Sequence, residues 1–136
     1  MNPSSSHIVI HSLAEAPWYV LAHLAFALLA VVLGTVMLVR RKGDFTHKAI
    51  GWAWVALMAS LSLSSFLIQA RGRFSLIHIL SFIVLVTVPL GVVHIRRGRV
   101  QAHRITMSSV FAGLVIAGAF TLLPYRMLGQ LVFSAW

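Results

Sequence analysis

The sequence contains no cysteine. Disulfides, thiolate metal ligands, iron–sulfur clusters and the covalent attachment of c-type haem are therefore excluded. Carboxylates are almost as scarce: Glu15 and Asp44 are the only two, and neither lies inside an apolar run. Proton or cation pathways built on intramembrane Asp or Glu are thus excluded. A hydrolase in which a carboxylate orients a histidine is excluded on the same ground. Charged residues make up only 10% of the chain, whereas soluble domains carry about a quarter. The chain is 60% hydrophobic, with a mean hydropathy of +0.93. Those values indicate one membrane-embedded all-α domain rather than a soluble core.

The net charge is +9. Its carriers sit in short connections between apolar runs, which argues against nucleic acid as a partner and for a lipid bilayer with anionic headgroups. Two of these connections are related. Arg40-Arg41 is followed after five residues by His47-Lys48, and Arg96-Arg97 after five residues by His103-Arg104, an offset of 56 positions in each case. His23 and His78 fall in the first and third apolar runs, 55 positions apart. The chain therefore reads as one helical hairpin written twice, an integral membrane four-helix antiparallel bundle.

The spans are expected at about 17–39, 47–68, 74–95 and 103–123, each long enough to cross a bilayer core. Trp18 and Tyr19 suit the interfacial belt, and Pro89 marks an expected kink. Residues 1–16 are expected as a short extracytoplasmic segment. They hold no Lys or Arg and so lack the basic start of a secretory signal. Residues 125–136 are too short to span and are expected along the interface. Four Lys or Arg residues lie in each of the first and third connections and two, Arg71 and Arg73, in the second. An inner (cytoplasmic) membrane location is expected, with the Arg-Arg connections cytoplasmic and both termini outside.

His23 and His78 are expected roughly 6–9 Å below the outer boundary, at 1.5 Å per residue. His47 and His103 open the second and fourth spans at the opposite boundary. In an up-down bundle these are diagonal pairs whose side chains face across the core. Helical steps from His47 give Gly51, Trp54, Met58, Ser62 and Ser65; from His23 they give Ala27, Ala30 and Gly34; from His103, Met107, Val110, Leu114 and Gly118. Small residues along these faces permit close approach of a helix or a flat cofactor. His94 lies about 160° around its helix from His78, at 100° per residue, and is not expected to share its site. Each feature has a plainer reading. The histidines can satisfy one another or the serines across the bundle, Ser60, Ser62, Ser64 and Ser65 can serve as helix–helix contacts, and the basic runs can be topology signals alone. His7 and His11, four apart, can chelate a surface metal if helical, or simply belong to a frayed terminus.

From about residue 20 to 125 the chain resembles a widespread bacterial family of predicted membrane proteins with a domain of unknown function. The residues that carry the resemblance are His23, His47-Lys48-Ala49-Ile50-Gly51, the Ser60–Ser65 stretch, His78, and His103-Arg104-Ile105-Thr106-Met107. The resemblance implies a four-span membrane protein and no agreed activity. In architecture the chain is also similar to the ascorbate-reducible di-haem cytochromes b, which hold one bis-histidine haem near each membrane face with ligands from alternate helices. That similarity implies an outer haem b on His23 and His78 and an inner one on His47 and His103, for transmembrane electron transfer. Arg40, Arg41, Arg96 and Arg97 are candidates for inner haem propionates, and Arg71 and Arg73 for outer ones. The alternatives are binding or transport of a small molecule or transition metal by the same histidines, and a cofactor-free accessory subunit. A membrane redox partner or a second copy of the chain is the expected protein partner. No catalytic residue is assigned.

Overall fold

The computed structural model describes residues 16–68 and 76–121. The expected segment 1–16, apart from its last residue, and the tail 125–136 lie outside the described residues, as do His7, His11, Arg71 and Arg73. All regular structure among the described residues is helical: α1 (Trp18–Val39), α2 (Phe45–Leu67), α3 (Leu76–Arg96) and α4 (Val100–Thr121). Each is long and apolar enough to cross a membrane. At 1.5 Å per residue each measures roughly 30–35 Å, close to the thickness of a hydrocarbon core.

The two Arg-Arg connections are tight turns, and both use glycine for the same reason. Gly43 has φ 95° and Gly98 φ 72°, a left-handed conformation that a Cβ makes costly. Helices joined this way must run antiparallel. Two starts differ from the expected boundaries. α2 begins at Phe45 rather than 47, because the Asp44 carboxylate accepts the His47 backbone N–H at 2.6 Å and caps the helix. α4 begins at Val100 rather than 103, because the Arg99 carbonyl already accepts from the His103 N–H at 3.0 Å. His47 and His103 consequently sit inside the first turn of their helices. α3 runs through Pro89 as a single helix.

The helices form a ring in which α1 packs on α2, α2 on α3, α3 on α4 and, more sparsely, α4 on α1. α1 and α3 are therefore diagonal, as are α2 and α4. The core comprises Ala30, Trp54, Met58, Leu61, Val88 and Val110. Trp54, Met58, Leu61, Ser62 and Ser65 form one face of α2, spaced three and four apart. The Trp54 indole N–H donates to the Ala30 carbonyl at 2.9 Å and ties α2 to α1. The Phe111 ring of α4 and Trp54 both lie against Gly34, whose missing side chain leaves them room. Large apolar side chains such as Leu28, Val32, Phe82, Ile105 and Phe120 point outward, as they should where the surrounding solvent is hydrocarbon.

Candidate histidine sites

His23 projects from α1 toward α2. Its Nδ1 lies 2.8 Å from Ser64 Oγ, and the Ser64 hydroxyl donates its proton to the Leu61 carbonyl at 2.8 Å. With that proton committed, Ser64 Oγ accepts and the imidazole Nδ1–H donates. The ring is thereby held in place by its Nδ1. His78, on α3, is buried and packs at a tilt against Phe66, with ring centroids 5.7 Å apart. Ser64 and Phe66 are two residues apart on α2, so His23 and His78 lie at the level of the same turn of that helix. One turn below His78, buried Ser81 hydrogen-bonds to Ser65 at 2.6 Å, and Ser65 also reaches the Ser62 carbonyl at 2.7 Å. The serine stripe thus contributes both a support for a histidine and an α2–α3 contact.

At the end of the bundle that carries the Arg-Arg connections, His103 Nδ1 lies 2.8 Å from the Gly91 carbonyl. A carbonyl only accepts, so Nδ1 carries the proton and Nε2 the lone pair. A Cβ on Gly91 would collide with the Met107 Cε, the far end of a flexible side chain, and lie 3.2 Å from Thr106 Cγ2, so both α4 side chains would have to give. His47, on the helix diagonal to His103, is close enough to interact with it electrostatically. Its Nδ1 is buried and has no hydrogen-bond partner. An unsatisfied buried polar atom costs about 1–3 kcal/mol, and the described residues supply no partner for this one.

His94 turns toward α4, where its Nδ1 lies 3.4 Å from Thr106 Oγ1, in keeping with its position far around α3 from His78. Arg40 approaches Asp44 at 4.0 Å, and the Arg96 guanidinium lies over the Trp52 ring at 5.9 Å. Arg41 and Arg97 are exposed at the same end. No group of three or more metal-ligating side chains occurs among the described residues. Gly91 carries no sequence signal that marks it as a support for a histidine. Ser64 carried one only as a member of a serine-rich stretch.

The model of a family of predicted membrane proteins (DUF2306) matches residues 20–134. The chain belongs to this family. The match reaches all four helices and includes His23, His47, His78 and His103. No curated protein and no solved structure matches the chain. As a member of DUF2306 the chain is an integral membrane protein of four spans. The marks that carry the resemblance fall on contacts between helices. A Cβ on Gly51 would meet the Met37 Cε at 3.3 Å, Met107 packs on Gly91, and Ser64 and Ser65 reach α1 and α3.

Proposed function

We propose that this protein binds b-type haem through its paired histidines, His23 with His78 and His47 with His103, and transfers electrons within or across the membrane. One observation carries the proposal: one ring of each proposed pair, His23 or His103, has its Nδ1 tied to a protein oxygen. Metal-bound histidines are usually held in this way, by a hydrogen bond from the second ring nitrogen that fixes tautomer and orientation. The Nδ1 of His47, unpartnered among the described residues, suits the same purpose. The packed centre of Trp54, Met58 and Phe111 lies between the two levels, which leaves the two ends of the bundle for cofactors. Haem, when bound, supplies a one-electron iron couple. Arg40, Arg41, Arg96 and Arg97 supply cations for propionates at one end, and Arg71 and Arg73 at the other.

The distribution of Lys and Arg supports an inner-membrane protein with the Arg-Arg connections in the cytoplasm, facing anionic headgroups, and both termini outside. A second reading has one observation in its favour. The bond from His23 to Ser64 satisfies that ring without any ligand, as a cofactor-free accessory subunit requires. The absorption spectrum of the full-length protein, expressed with ample haem and purified in detergent, separates the two. A low-spin spectrum is expected, with His23→Ala and His103→Ala each removing about one haem of two while helicity is retained. A wild-type protein with no haem absorption refutes the proposal. Bound copper, zinc or iron in its place then supports a transition-metal site, and no bound metal supports the accessory subunit.

A further inference from the structure

We propose that the outward face of α4 at the basic end is a binding site for one anionic phospholipid. A shallow groove of about 320 Å³ lies there, lined by Gln101, Arg104, Ile105, Ser108 and Ser109. Its polarity is out of place on a surface that faces hydrocarbon. Several other exposed hydroxyls in the spans are satisfied by their own helix. Thr35, Ser60 and Thr87 donate to the carbonyls of Val31, Ala56 and Ile83, each four residues earlier. Ser108 and Ser109 make no such bond, or any other, among the described residues. Two free hydroxyls beside an unpaired guanidinium and an exposed amide form a donor set for phosphate and ester oxygens.

The charge of the ligand follows from the shortage of carboxylates. Asp44 is the only one among the described residues, and it is engaged with the His47 amide and with Arg40. No carboxylate among the described residues is therefore left to pair with Arg104. The form of the ligand follows from depth. Ser108 and Ser109 lie four and five residues further along α4 than Arg104, roughly 6–8 Å deeper at 1.5 Å per residue. That matches the step from a headgroup phosphate to the glycerol esters. Beyond them Ala112, Ile116 and Phe120 continue the same exposed stripe, a lane for an acyl chain. α4 is also the least covered of the four helices, so nothing within the described bundle competes for this face. The assignment rests on the proposal above that the basic end faces anionic headgroups, and it narrows that attraction to one saturable place.

The test is native mass spectrometry of the full-length protein in a neutral detergent, with phosphatidylglycerol or phosphatidylcholine added at equal concentration. Retention of one phosphatidylglycerol in preference to phosphatidylcholine is expected. Arg104→Gln should weaken it about fivefold, the effect of one basic contact at a membrane surface, and Arg104→Lys much less. Replacing both serines by alanine should weaken it about threefold with the charge unchanged, which tests the site even if Arg104→Gln loses helicity. Arg40→Gln should have no effect. Equal losses from Arg40→Gln and Arg104→Gln would overturn the site but leave the diffuse headgroup attraction standing. An absence of any preference for the anionic lipid would remove both. Competition by inorganic phosphate would identify a free-phosphate site instead and overturn the lipid assignment.

Discussion

Replacing Gly34 by alanine sets two effects against each other, and their magnitudes decide the sign. In a helix interior the change from Gly to Ala ordinarily stabilises by about 0.8–1.0 kcal/mol, because glycine has more backbone freedom to lose. At Gly34 the new Cβ would meet the Phe111 Cε2 at 2.5 Å and the Trp54 Nε1 at 3.0 Å. Those atoms belong to rigid rings in the packed centre and can move only by shifting α4 or α2. Overpacking of this kind costs about 1–3 kcal/mol. Displacing Trp54 also strains its bond to the Ala30 carbonyl, worth about 0.5–1.5 kcal/mol. The net expectation is a loss of about 1–3 kcal/mol. Gly113→Ala on α4 is the control, since a Cβ there meets nothing within 4 Å, and it should stabilise by up to about 1 kcal/mol. Unfolding in mixed micelles of mild detergent and SDS, followed by tryptophan fluorescence and circular dichroism, measures both. Phe111→Leu in the Gly34→Ala background should recover part of the loss by opening space. Equal stability of Gly34→Ala and Gly113→Ala would refute the close approach of α4 to α1.

Other consequences are simpler to state. Ser65→Ala, Ser81→Ala and the double variant should show a coupling of about 0.5–1.5 kcal/mol in the same assay, as expected for a buried hydroxyl pair between membrane helices; a coupling of zero would mean that the 2.6 Å contact contributes nothing. Cysteines at Phe45 and Val100, both exposed at the starts of α2 and α4, should react with an impermeant thiol reagent only after the cells are opened, and labelling on intact cells would reverse the orientation. Cysteines replacing His47 and His103 should crosslink to each other, whereas the pair at positions 23 and 47 should not, because most of the membrane separates them.

The gross fold was legible because a bilayer permits few alternatives. Four apolar runs with short basic connections can satisfy their backbones only as helices, and the 56-residue offset set their order. The helical steps from His23 and His47 also predicted the buried faces, since Ala30, Gly34, Trp54, Met58, Ser62 and Ser65 all face inward. The helix starts were less legible. Asp44 lay in what looked like a charged connection, and its capping bond brings Phe45 into α2. Least legible were the supports of the histidines. The contacts of His23 with Ser64, His103 with Gly91 and His94 with Thr106 each join two helices. Such contacts depend on how one helix is rotated and shifted against its neighbour. Periodicity fixes the face of each helix but not the relative phase of two.

The repeat relates His23 to His78 and His47 to His103, yet the two rings whose Nδ1–H is tied to Ser64 or Gly91 are His23 and His103, which are not repeat mates. Duplication of a hairpin alone would have copied the same support into both halves. The supports instead follow local packing. Ser64 lies where α2 meets α1, and Gly91 lies where α3 meets α4. The consequence is sharpest for His47 and His103, at the end of the Arg-Arg connections. There one ring is held in a single tautomer, while the other, His47, is fixed at its backbone by Asp44 but has no partner for its buried Nδ1. A purely structural pair gains most when both rings are satisfied within the chain, because a half-satisfied buried network costs more than none. One oriented ring and one unsatisfied ring are what the proposed ligand would complete. A Cβ on Gly91 crowds Thr106 and Met107, which follow His103 on α4, so replacing Gly91 by alanine should weaken any ligand held at the His47–His103 level while leaving one at the His23–His78 level in place, and equal loss at both would show that the glycine serves the bundle rather than the site.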